Sequence, residues 1–224
     1  MAKQATKHHA EPTVQEAISK SEEFLSEYKN QIFYVLGGII LLFGIVFGYK
    51  KLYQEPKREE AMGQMFLAEQ AFRNDAFALA LNGDGNLLGF SQIWDEYGSH
   101  AGKAIHFYKG ICHLQLGEFE EAIKALSKYS SKDFIMQARA YCCMGDAYAG
   151  INDLKKALEY YLKAARHHDN LMAAIYLKKA AIIHEETGSP QEAIKLYEEL
   201  KGKYPQTMEA YEADKYIARL EAAQ

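Results

Sequence analysis

At 224 residues, 49% of them apolar, the chain has room for one substantial domain with accessory segments. Its net charge is −4, and residues 59–224 carry 24 acidic against 18 basic groups, so the basic footprint of a nucleic-acid binder is absent. Four prolines among abundant Ala, Leu, Glu, Lys and Tyr favour an all-α fold.

Residues 1–30 read as an N-terminal tail. Pro12-Thr13-x-x-Glu16 has the spacing of a capping box. After it Val14, Ala17, Ile18, Leu25 and Tyr28 recur at three- and four-residue steps, which predicts an amphipathic helix. Its polar face holds Glu rather than Lys, which fits an extension of the following segment better than a lipid-surface helix.

The segment 31–49 is predicted to be a transmembrane anchor. Residues 32–49 carry no charge, and as a helix they would reach about 27 Å across a hydrocarbon core of about 30 Å. Tyr28, Tyr34, Tyr49 and Tyr53 gather at its ends as an interfacial belt would, while Gly44 and Gly48 give a weak helix-packing signal. The flanking GYKKLYQEPKREE has no small-x-small cleavage site, so the segment reads as uncleaved. Lys50, Lys51, Lys57 and Arg58 on the C-terminal side outnumber Lys20 and Lys29 on the other, which favours a cytoplasmic C-terminal domain. Residues 50–60 read as a polar linker.

From 61 onward the pattern is a helical array. Residues 61–81 predict one long helix and 88–97 a second around Trp94, together a divergent first repeat over 61–102. The intervening Asn82-Gly83-Asp84-Gly85-Asn86 alternates oxygens like a calcium loop. The glycine and glutamate that such a loop needs are replaced by Leu87 and Ile93, so a glycine-rich turn is the better reading. Three hairpins follow, over 103–137, 138–173 and 174–206. Ala122, Ala157 and Ala193 align in one column at about 35-residue steps. Gly110, Gly145 and Ala181 stand where two helices would cross closely, and Gly117, Asn152 and Gly188 where the turn falls. Residues 207–224 predict a capping helix.

These residues resemble the tetratricopeptide repeat family over 103–205. Tyr129 and Leu200 depart from it, standing where small residues are preferred, and Phe134 stands where a terminal proline is usual. The resemblance implies a helical solenoid with a groove lined by the first helix of each hairpin. By repeat position, the partner-binding candidates are Phe107, Ile111, Gln115, Arg139, Asp146, Lys178, Ile182 and Glu185.

The order of segments also resembles the ancillary Sec translocon subunits of bacterial inner membranes and tetratricopeptide proteins of Bacteroidetes. That second resemblance implies a cytoplasmic N-terminus and periplasmic repeats that bind translocating or newly exported proteins, the opposite orientation to the charge count. A cytoplasm-facing adaptor is the alternative. Cys112, Cys142 and Cys143, odd in number and two adjacent, read as buried thiols rather than a disulfide framework. His106 and His113 lack the further ligands of a metal site, and no G-x-S-x-G, P-loop or H-E-x-x-H pattern occurs. The expectation is therefore a protein- or peptide-binding chain with no catalytic residues, cofactor, metal or small-molecule substrate.

Overall fold

The computed structural model describes residues 14–223, with side chains from Ser26 onward. The capping box at Pro12-Thr13 and the apolar face preceding Ser26 lie outside the described residues. The chain divides into two units, Met1–Pro56 and Lys57–Gln224.

In the first unit α1 (Val14–Tyr49) is one unbroken helix. Its large side chains from Phe33 to Phe47 all face outward, and no part of its apolar stretch is buried. By length and composition it is the one helix among the described residues able to cross a membrane. The residues read above as a linker, 50–60, are helical instead. A π-helical turn, Lys50–Gln54, leads into α2 (Glu55–Arg73), and the Glu55 amide donates to the Lys50 carbonyl five residues back. Pro56 supplies the reason: it has no N–H for the Leu52 carbonyl and its ring crowds that group, so the helix widens just before it.

The second unit is a succession of hairpins among α2, α3 (Phe77–Asn82), α4 (Phe90–Tyr97), α5 (Ala104–Gln115), α6 (Phe119–Leu126), α7 (Phe134–Gly150), α8 (Leu154–His167), α9 (Ala173–Glu186), α10 (Pro190–Lys203) and α11 (Met208–Ala222). The described residues contain no strand, and the fold is all-α with tetratricopeptide-like repeats. From α5 onward each helix packs on the next in sequence.

One local device ends four of these helices. Asp75, Gly117, Asn152 and Gly188 all have φ between 56° and 77°. At each, the following amide reaches back five residues: Ala76 to Ala71, Glu118 to His113, Asp153 to Tyr148, Ser189 to His184. This is the Schellman stop, in which a left-handed residue satisfies the last free carbonyls. The long helix predicted over 61–81 is therefore cut at residues 74–76. Its stop is an aspartate rather than a glycine, one of the few other residues tolerated in that conformation.

Small residues then let the hairpins close. A β-carbon on Gly110 would come within 2.5 Å of Leu126, and one on Gly145 within 2.5 Å of the Tyr161 ring. Ala181 and Tyr197 hold the same relative positions in the third hairpin, and both are fully buried. Tyr129, the bulky departure, tilts against Phe107 at 5.2 Å.

Candidate functional site

The first helices α5, α7 and α9 carry the eight groove candidates, which the structure distributes among three roles. Phe107 and Ile111 are core: both are buried and cluster with Leu126, Ala140 and Met144. Their expected partner-facing role gives way to packing, because α3, α4, α6 and α7 all lie against α5. Gln115, in the last turn of α5, stays exposed.

The charged candidates on α7 and α9 bind neighbouring helices. Asp146 accepts a hydrogen bond from the Tyr161 hydroxyl at 2.7 Å and is paired with Lys179 of the next hairpin. Burial opposes the charge on Lys179, yet the hydrogen bond and charge of the Asp146 carboxylate hold its pKa above the ordinary lysine value. Burial and then Asp146 push the Tyr161 phenol upward, so this hydroxyl is a donor at any physiological pH. Glu185 repeats the arrangement one hairpin later, accepting from the Tyr197 hydroxyl at 2.7 Å and pairing with Arg219 of α11. Lys178 pairs with Glu212, also of α11. These contacts staple successive first helices together along the face predicted to form the groove.

Arg139 and Ile182 remain exposed, Ile182 beside a shallow cleft of about 290 Å³ lined by Ala149, Leu154, Tyr161, Lys179 and Glu186. Of the eight, Gln115, Arg139 and Ile182 thus offer the most accessible chemistry. The cysteines offer none: burial pushes Cys112 and Cys142 up to about 12 and Cys143 to about 11, so all three are thiols at neutral pH.

Reading by repeat position missed a second surface. Phe134 opens α7, Leu171 and Met172 lead into α9, and Met208 opens α11; all are exposed, Phe134 at 57%, Leu171 at 53% and Met208 at 71%. Ile135 and Tyr211 extend the set. Each cluster follows a capping residue: Asp133 accepts from the Ile135 and Met136 amides, Asn170 from Met172, and Thr207 from Ala210. The cap fixes the helix start, and the apolar residue beside it is held outward with no core to enter. The signal was legible in Asp-Phe-Ile, Asn-Leu-Met and Thr-Met, three polar-to-apolar steps at equal sequence intervals.

Comparison with known proteins agrees with this architecture. The Tetratricopeptide repeat family profile matches residues 144–206. The heat shock protein STI1 of Saccharomyces cerevisiae is 29% identical over 99 residues, covering 38% of this chain and 17% of that protein. The chain thus spans a small fraction of that relative. Among solved structures, the crystal structure of MamA protein superposes with a TM-score of 0.58 at 18% identity, covering 73% of this chain and 84% of that one. These likenesses support a tetratricopeptide-type repeat protein, a class that presents surfaces to proteins and peptides.

Proposed function

We propose that this chain is a single-pass inner-membrane scaffold whose repeats bind translocating or newly exported proteins on the periplasmic side, as an ancillary translocon subunit or a periplasmic chaperone. The carrying observation is the set of exposed apolar residues at the starts of successive first helices, Phe134, Leu171 and Met208 with their neighbours. A chain leaving a channel is unfolded and shows apolar side chains at irregular intervals. A set of separate apolar contacts suits such a ligand, because each engages a short segment without demanding one sequence. The wholly exposed apolar stretch of α1 supports the anchor, since nothing in its own unit covers it. The partial match to a heat shock protein supports the chaperone-type reading. Gln115, Arg139 and Ile182 are proposed as the polar and apolar margin of the binding face.

Photocrosslinkers at Phe134, Leu171 and Ile182 in intact cells test the reading. Capture of channel subunits or exported precursors is the expected result, and capture of neither would refute it. Lys50, Lys51, Lys57 and Arg58 favour the second reading, a cytoplasm-facing adaptor. Protease added to spheroplasts separates the two: digestion of residues 57–224 fits the periplasmic reading, and protection fits the adaptor.

A further inference from the structure

Between α4, α5 and α6 lies a cleft of about 140 Å³ whose lining is charged mostly with one sign. Lys109 enters from α5, Lys124 from α6 and Lys128 from the turn after α6. Beneath them lies the buried imidazole of His106, with the Trp94 ring 4.3 Å from it. Glu121 is the one carboxylate in the lining, and it sits 3.3 Å from Lys124. Lys109 and Lys128 make no hydrogen bond or ion pair among the described residues; Asp95 and Glu121 reach Lys109 only through space.

Folding therefore gathers cations that are only partly answered: Glu121 pairs with Lys124 and Glu118 with His113, while Lys109 and Lys128 have no direct carboxylate contact among the described residues. Burial lowers the pKa of His106, and the charges of Lys128 and Lys109 lower it further. Burial likewise lowers Lys109; the charge of Asp95 opposes this, as does Glu121, while Lys128 and Lys124 add to it. The groups facing His106 are Trp94 and Asp95 of α4, Lys109 and His113 of α5, Glu121 and Lys124 of α6, and Lys128. An anion seated among them would reverse the repulsion.

We infer that this cleft binds a phosphoryl group, carried either by free phosphate or by the monoester headgroup of a lipid. Ammonium groups are donors only, and the neutral imidazole adds one N–H, so the site offers several donors and little to accept. A phosphoryl dianion brings three or more oxygens and two charges to meet them. A carboxylate brings two oxygens and one charge, which leaves part of the lysine set unanswered. The cleft is larger than a single ordered water needs. It belongs to different helices from the apolar residues at the starts of α7, α9 and α11, so its failure would leave the proposed scaffold role untouched.

The test uses the full chain in detergent, with inorganic phosphate as the probe. Calorimetry should give saturable binding at about millimolar Kd or tighter. The His106 imidazole, followed by NMR, should titrate at higher pH when phosphate is present. Lys128→Gln, at an exposed position, should weaken binding by about tenfold while the thermal melt is unchanged, and Lys109→Gln should do at least as much. A second arm reconstitutes the chain in phosphatidylcholine vesicles with and without phosphatidic acid. A rise in the His106 titration point with phosphatidic acid alone identifies the headgroup as the source, and a rise only on adding free phosphate identifies the ion. Absence of saturable binding and of any His106 shift in both arms overturns the site. So does binding that both lysine variants leave unchanged.

Discussion

The α7–α8 and α2–α3 hairpins stop their first helices in the same way and then diverge. Asn152 and Asp75 are both left-handed, at φ 60° and 56°, and both pass the chain to a new helix two residues later. In the regular hairpin the second helix runs for 14 residues and sets Ala157, Tyr161 and Ala164 against α7, with Gly145 admitting the tyrosine ring. In the divergent hairpin α3 stops after six residues at Gly83, and burial passes to α4 through Phe90 and Ile93. Aromatic rings replace the close crossing there: Phe72 meets Phe77 edge-on at 5.5 Å, and Phe90 stacks on Tyr108 at 5.1 Å. The turn is thus a local property that survives divergence, whereas the second helix needs a whole column of small residues.

Glycine substitutions give the largest test of that difference. A β-carbon on Gly83 would lie 2.2 Å from the Leu87 carbonyl oxygen, and its φ of +72° already disfavours a side chain. Backbone cannot swing away, so Gly83→Ala should cost about 3 kcal/mol in urea unfolding. Gly145→Ala meets a tyrosine ring that can tilt, and should cost about 2 kcal/mol. Tyr161→Phe keeps the ring but removes the donor to Asp146, for about 1 kcal/mol. Equal losses at Gly83 and Gly145 would mean that the irregular loop is as adaptable as a helix crossing, and the contrast would fail.

How much of this was legible depended on the residue. Gly117 and Gly188 announce their turns, because glycine is the usual left-handed residue. Asp75 does not, since an aspartate inside a run of good helix formers carries no unique signal, and the pattern over 61–81 predicts one uninterrupted helix. The polar run 50–60 reads as a linker, yet Pro56 sits near a helix start, where proline is tolerated. On α9, periodicity sets Lys178 and Glu185 on one face but does not reveal that Glu212 and Arg219 of α11 pair with them. Those pairings join residues 34 apart, and which of two exposed carboxylates a lysine meets depends on helix register rather than on local pattern. Phe107 and Ile111 are hidden for a similar reason: α6 and α7 close over them through Leu126, Ala140 and Met144, contacts that the repeat position alone does not reveal.

Swapping the left-handed residues tests the shared half of the comparison at smaller scale. Asp75→Gly and Asn152→Gly relieve the same strain and should each stabilise by about 0.5 kcal/mol, after the extra freedom glycine gives the unfolded chain. Gly117→Ala and Gly188→Ala should each cost about 1 kcal/mol. Opposite signs at Asp75 and Asn152 in thermal melts would show that the two stops are not equivalent, and that Asp75 holds its hairpin by some other contact.

The smallest effect concerns α11, which packs Ala210 and Ala213 into the core and adds surface ion pairs to α9 and α10. The hydrogen bond from Lys178, and then its charge, hold Glu212 below the ordinary carboxylate pKa of 4.5. A depressed carboxylate contributes stability above its unfolded pKa and loses it as the pH falls through the folded value. Docking of α11 should therefore be constant near neutrality and loosen as the pH drops below about 4.5. Because the pair is exposed and screened, the loosening should be confined to α11 and shrink with added salt. Hydrogen exchange of the α11 amides, compared with those of α8, reads it directly. Glu212→Gln should flatten the acid dependence at α11 while leaving α8 unchanged, and an acid response that survives this substitution would move the control to another carboxylate.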